Sequence, residues 1–154
     1  MPMPGSRPSP PRRSVSLLAM ALLLGGAGLL PYRVDGDRID ASLTGHPGDP
    51  SAGRALMLDQ RTSTCLLCHG GPFPEQSFQG TIGPSLTGVG DRLTPAQIRL
   101  RLVDATRVNP ETSMPRFYAD TGLTRVAPAY AGRPVLDADQ IEDLVAFLST
   151  LKAP

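Results

Sequence analysis

Five consecutive residues, Cys65-Leu66-Leu67-Cys68-His69, constrain this chain more than any other part of its sequence. Two cysteines separated by two residues and followed by a histidine are typical of the covalent attachment site of a c-type haem. Each thiol can add to one vinyl group of the porphyrin, and the histidine then lies where it can bind the iron. The motif therefore predicts one haem c, attached to Cys65 and Cys68, with His69 as an axial iron ligand.

Other uses of closely spaced cysteines fit this sequence less well. A thioredoxin-like dithiol occurs beside a βαβ unit, and no strand pattern adjoins Cys65. A tetrahedral zinc site needs four ligands, whereas Cys65 and Cys68 are the only cysteines and the second histidine, His46, lies far upstream. A chance pair is the remaining alternative. With both cysteines bound to haem, no thiol remains for a disulfide or for nucleophilic chemistry.

A methionine in a long irregular segment is the predicted second axial ligand. Residues 106–136 contain six prolines or glycines and no clear helical pattern, and a structureless stretch of that length is usually functional. Met114 precedes Pro115, which favours an extended backbone at the methionine. The other four methionines lie in the leader or in the first predicted helix, at Met1, Met3, Met20 and Met57. A thioether ligand stabilises reduced iron; the alternative is a methionine that only packs.

The first 27 residues have the composition of an export signal. Three arginines occur without any acid, an uncharged apolar run follows, and small residues at Gly25 and Ala27 mark the predicted cleavage site. An uncleaved anchor is the alternative, because residues 14–32 carry no charge over 19 positions, a length that is borderline for a membrane span. Three glycines and Pro31 weaken such a helix. The signal predicts a periplasmic protein.

The remainder of the chain has the composition of one domain with long loops. Removing the three leader arginines leaves 12 of 15 basic residues against 14 acidic residues, so charge gives no indication of nucleic-acid binding. Seventeen prolines and 16 glycines predict irregular connections. Residues 28–50 form a polar, irregular arm in which His46 is predicted to be solvated, with iron ligation as the lesser alternative. Residues 51–152 are the predicted haem-binding domain.

The chain is predicted to be all-α, with helices over about 49–62, 94–105 and 137–151. Thr94 with Gln97, and Asp137 with Gln140, are starting signals for the second and third of these helices. Gly53 inside the first helix costs about 1 kcal/mol relative to alanine. The close approach of another element would justify that cost.

The order of these features resembles that of class I cytochromes c, in which a helix, the C-x-x-C-H motif, a late methionine and a terminal helix with an aromatic residue follow one another. Five segments narrow the resemblance to the SoxX family, and they are residues 65–74, 79–86, 107–115, 123–128 and 141–148. The resemblance extends from about Gly53 to Lys152. The N-P-x-T-x-M-P pattern that ends at Pro115 and the later R-V-A-P pattern that ends at Pro128 are the parts that indicate this family.

This resemblance implies a class I cytochrome c-like fold of helices around one covalent haem. The first and last helices are expected to cross at Gly53 near Phe147. The carbonyl of Pro84 is expected to accept the Nδ1 proton of His69. No catalytic residue is expected on this chain.

The resemblance also implies a heterodimer with a larger haem subunit, SoxA. The complex would be an L-cysteine S-thiosulfotransferase that joins thiosulfate oxidatively to a cysteine of the carrier SoxYZ. The catalytic cysteine is then expected on SoxA. This chain would pass the electrons to a small periplasmic c-type cytochrome.

Two other functions are compatible with the sequence. A free-standing electron carrier would dock only transiently, and the net charge of about +4 over residues 92–133 could steer a negative partner. The same arginines could equally form a solvated face. A haem enzyme with an open iron site, such as a peroxidase, is disfavoured because Met114 would fill the sixth position.

Overall fold

The computed structural model describes Met1 and residues 29–154. The regular elements in this part of the chain are helices, and long loops connect them. Its four α-helices are α1 (Pro50–Leu58), α2 (Val89–Arg92), α3 (Pro95–Asp104) and α4 (Ala138–Thr150). The predicted all-α, class I cytochrome c-like fold with long irregular loops is confirmed. The predicted export signal lies, Met1 apart, outside the described residues. Among the helices of the described part, none combines the length and apolar character that crossing a bilayer requires.

Helices α1 and α4 cross at Gly53, where they approach too closely to admit a side chain. A Cβ added at Gly53 would lie 2.0 Å from the carbonyl oxygen of Asp143 and 2.8 Å from the Cβ of Phe147. The ring of Phe147 packs against that of Phe73, with centroids 6.1 Å apart. The close contact explains why glycine occupies a helix interior. It also confirms the expected crossing of the first and last helices.

Helices α3 and α4 begin at the predicted capping boxes. Thr94 and Gln97 exchange side chain to backbone hydrogen bonds at the start of α3, and Asp137 and Gln140 do the same at the start of α4. Each box satisfies backbone N–H groups that the helix itself leaves free. The apolar face of α4 forms the centre of the core with Ile141, Leu144, Val145, Phe147 and Leu148.

Helix α1 ends at Leu58, before the predicted end near Thr62. The side chain of Asp59 accounts for the difference. Its carboxylate accepts hydrogen bonds from the N–H of Arg61 at 3.0 Å and from the hydroxyl of Thr62 at 2.7 Å. Because these local bonds offer the backbone an alternative to the helical ladder, the helix stops there.

Helix α2 was not predicted, since residues 70–90 carry only loop signals. The C-terminal residues hold it in place. Lys152 Nζ donates to the carbonyl of Gly90 at 2.7 Å, and the N–H of Ala153 donates to Asp91 Oδ2 at 2.7 Å. These partners lie 62 positions apart along the chain, so no local pattern reveals them.

The predicted arm packs onto the helices despite its polar sequence. Ile39 and Leu43 are buried in the core. Arg99 of α3 donates to the carbonyl of Ile39 at 2.7 Å, and the N–H of Leu43 donates to the carboxylate of Glu142 in α4 at 2.8 Å. Residues before α1 therefore complete the core beside α3 and α4.

Candidate haem site

The two cysteines and the histidine lie on one tight turn. Cys65–Leu67 form a 3₁₀ turn, and the N–H groups of Cys68 and His69 both donate to the carbonyl of Cys65, at 3.2 and 3.0 Å. Thr64, which precedes the turn, has a φ of 53°, a left-handed conformation that is rare for a β-branched residue. The turn brings the three side chains to the same cleft.

The cleft consists of two adjoining cavities of about 480 and 450 Å³, called here the first and second cavity. Cys65, His69 and Met114 line both of them, and Cys68 lines the second. The structure thus brings together all four residues singled out in the sequence. The first cavity owes its apolar character to Met57, Leu86, Val89, Leu93, Ile98, Leu102, Ala105, Val108 and Leu148.

The imidazole of His69 has a fixed orientation. Its Nδ1 lies 2.8 Å from the carbonyl oxygen of Pro84, which confirms the expected partner. Because a carbonyl can only accept, the proton is on Nδ1 and the lone pair of Nε2 is available to a metal. A Cβ added at Gly83 would lie 2.4 to 2.8 Å from the ring atoms of His69. Sequence reasoning did not identify Gly83, and its one signal is the Gly-Pro pair.

The loop that carries Met114 is shaped by short-range hydrogen bonds. The N–H of Met114 donates to the hydroxyl of Thr112 at 3.1 Å, and the N–H of Glu111 donates to Asn109 Oδ1 at 3.1 Å. Such side chain to backbone bonds fix a loop without regular structure. The half-buried Met114 is therefore presented to the cleft by a defined backbone.

The thiol of Cys65 is in an apolar environment. Burial raises the pKa of Cys65, and its Sγ donates to the carbonyl of Ser63 at 3.5 Å. A raised pKa disfavours the thiolate, whereas redox-active dithiols depend on a lowered one. The surroundings of Cys65 therefore argue against a thioredoxin-like role.

Two arginines that sequence reasoning did not assign to the site line the first cavity. Arg92 donates to the carbonyl of Ser85 at 2.6 Å, and Arg101 donates to the carbonyl of Gln97 at 2.9 Å. Guanidinium groups beside an apolar cavity suit a ligand with a large apolar body and carboxylate groups. This combination fits haem, as do the imidazole, the thioether and the two thiols of the cleft.

Met57 and His46 lie where the sequence predicts them, whereas Arg99 does not. Met57 is 1% exposed and belongs to the core, although it also reaches the first cavity. His46 is exposed, with Nε2 3.7 Å from Asp139 Oδ1, and it does not line the cleft. Arg99 is buried against Glu142, so it belongs to no docking face.

Comparison with solved structures shows the family of this chain. No protein-family model matches the chain, and neither does any curated protein sequence. A chain in the crystal structure of SoxXA from P. pantotrophus is 40% identical to this chain, with a TM-score of 0.73. The match covers 79% of this chain and 94% of that one. From the shared fold and this level of identity, we conclude that the chain belongs to the SoxX family of class I cytochromes c.

Proposed function

We propose that this chain carries one haem c, attached through Cys65 and Cys68 and bound axially by His69 and Met114. One observation carries the proposal, namely that these four side chains line a single, largely apolar cleft. When bound, the haem supplies a one-electron redox centre. Every other function named below depends on this assignment.

The residues of the cleft have distinct roles in this proposal. The hydrogen bond from His69 Nδ1 to Pro84 orients the imidazole and increases the basicity of Nε2. The thioether of Met114 favours reduced iron and raises the reduction potential relative to a second histidine. The apolar side chains of the first cavity exclude water, which also tunes the potential. The two cysteines fix the position of the porphyrin.

The chain acts, in this proposal, as the electron-transfer subunit of a periplasmic SoxAX complex, paired with a SoxA-type haem subunit. Its similarity to a chain of the SoxXA structure over 94% of that chain supports this assignment. Oxidative coupling of thiosulfate to a cysteine of SoxYZ forms a sulfur–sulfur bond and releases two electrons. A small c-type cytochrome receives them. The resemblance implies that the catalytic cysteine of the thiosulfotransferase lies on SoxA, and the commitment of both cysteines of this chain to haem agrees with that.

Mature protein isolated from its host tests this proposal. Mass spectrometry should show the mass of one haem on the peptide that contains Cys65 and Cys68, and a second haem chain should co-purify. A mature chain without that added mass would contradict the proposal as a whole. A haem-loaded chain that purifies alone and reduces a small cytochrome would instead favour the free-standing carrier.

A further inference from the structure

Three large apolar side chains are exposed on the side of the molecule that carries the C-x-x-C-H motif. They are Leu67, Phe78 and Ile82, which are 57%, 90% and 76% exposed. Leu67 lies between the two cysteines, and Leu67 and Ile82 both line the second cavity. A group of large apolar side chains left in solvent marks a surface that another protein covers.

These side chains are held outward by a fixed backbone. Residues 78–82 run over the C-x-x-C-H turn, where the N–H of Gly80 donates to the carbonyl of Leu66 at 2.9 Å. A Cβ added at Gly80 would lie only 2.1 Å from the carbonyl oxygen of Leu67. Because the two segments are in direct backbone contact, Phe78 and Ile82 belong to the same surface as Leu67.

The same part of the chain carries almost no charge. Between Thr62 and Gly90, Glu75 is the one Asp, Glu, Lys or Arg residue, and it forms an ion pair with Arg54. Transient electron-transfer partners are usually recruited by complementary charge. Permanent subunit interfaces are more apolar. Glu111 is the one Asp, Glu, Lys or Arg residue that lines the second cavity. This largely uncharged, apolar surface therefore fits a permanently bound subunit better than a diffusing carrier.

We infer that Leu67, Phe78 and Ile82 form the docking surface for the SoxA-type subunit. The inference rests on the proposed function, for which it names the contact. This docking surface places the partner over the second cavity, on the side of the cleft where Cys68 lies. Electrons from the partner then enter through the cysteine side of the cleft.

Titration of haem-loaded protein with the SoxA-type subunit tests this inference. The variants Phe78→Ser and Ile82→Ser should bind at least about tenfold more weakly than wild type, because each removes a central apolar contact. The matched controls are Tyr130→Ser and Val135→Ser, which alter side chains that are 66% and 47% exposed elsewhere on the surface. The controls should bind like wild type. The visible spectra of Phe78→Ser and of the two controls should match that of wild type, since none of these three side chains lines the haem cleft.

Equal affinity of the variants and the controls for the subunit would overturn the inference. So would variants that keep their affinity for the subunit but lose electron transfer to a small cytochrome, since the surface would then serve the carrier. Failure of the proposed function would give a different result, seen already in the wild-type protein. Wild-type protein would then lack haem or fail to bind the subunit before any substitution is made.

Discussion

Arg99 and Glu142 form a bidentate ion pair in the protein interior, with Nε–Oε1 and Nη2–Oε2 distances of 2.7 and 2.9 Å. Their side chains are 8% and 2% exposed. Each also binds the backbone of the arm, Arg99 at the carbonyl of Ile39 and Glu142 at the N–H of Leu43. One pair of side chains thus joins α3, α4 and the arm.

Breaking this pair on one side should destabilise the protein strongly. Arg99→Leu leaves a buried carboxylate without its partner, for which we expect a loss of about 3–5 kcal/mol in the free energy of unfolding. The double variant Arg99→Leu/Glu142→Leu should lose less than the two single variants together, because no charge stays buried. Urea unfolding of haem-loaded protein measures these values. Arg38→Leu, in an exposed ion pair, is the control and should cost no more than about 1 kcal/mol.

Gly53→Ala should reverse the usual effect of alanine in a helix. In an exposed helix, this change stabilises by about 1 kcal/mol. Here the added Cβ would lie 2.0 Å from the carbonyl oxygen of Asp143, so the helices must separate and we expect a loss of about 1–3 kcal/mol. The exposed Ala52 provides a control, since Ala52→Gly should cost only about 1 kcal/mol. A higher urea midpoint for Gly53→Ala would contradict the tight crossing.

Gly83→Ala should displace the proposed iron ligand His69 without changing the chemistry of its imidazole. The new Cβ would press on the imidazole of His69 and displace it from the carbonyl of Pro84. We expect about tenfold less haem-loaded protein, in line with other losses of support around a metal ligand. The absorption of purified protein at equal expression measures this yield. Thr81→Ala, at a nearby exposed position, should give the wild-type yield; an equal loss there would point to a general folding defect.

Met114→Ala should remove the proposed sixth iron ligand. The weak far-red band of a thioether bound to ferric iron should disappear, and the reduction potential should fall because reduced iron loses its stabilising ligand. Optical and potentiometric titrations measure both effects. Met57→Leu should keep the band, since Met57 serves the core. A high-spin ferric spectrum of the wild-type protein would contradict the ligand assignment.

Asp59 should contribute to stability at neutral pH and cease to do so in acid. The hydroxyl of Thr62, and after it the N–H of Arg61, hold the pKa of Asp59 below its ordinary value of 3.8. A lowered pKa stabilises the folded state above the ordinary pKa, and this contribution disappears as the pH falls through the lowered one. Asp59→Asn should therefore be less stable than wild type at about pH 7, and the difference should shrink below about pH 4. Urea midpoints at several pH values test this; a constant difference would contradict it.

The parts of the fold that short-range patterns determine were predictable from the sequence. Thr94 and Gln97 act across three residues, so the start of α3 is visible in the sequence itself. The packing of the arm depends instead on Arg99 and Glu142, whose partners in the arm lie 60 and 99 positions away. Nothing near Leu43 in the sequence indicates that it is buried.

The same distinction applies to the site. The C-x-x-C-H spacing identifies three of the four residues that meet at the cleft. Met114 is identified because the other methionines belong to the leader or to the core. The role of Gly83 is not visible in the sequence, because it depends on how closely the backbone of Gly83 approaches the ring of His69. The position of Arg101 at the first cavity is not visible either, because only the placement of α3 brings its side chain there. Both roles arise from tertiary structure, which spacing does not encode.

The fit of Gly53 against Asp143 has a consequence for the order of events during biosynthesis. A polypeptide is synthesised from its N-terminus onward. The close contact between α1 and α4 therefore cannot form before the 13 residues of α4 have been made. Until then, the segment around Cys65 belongs to an incompletely packed domain. If Cys65 and Cys68 carry haem as proposed, this order leaves an interval before the final packing in which the two thiols can be modified.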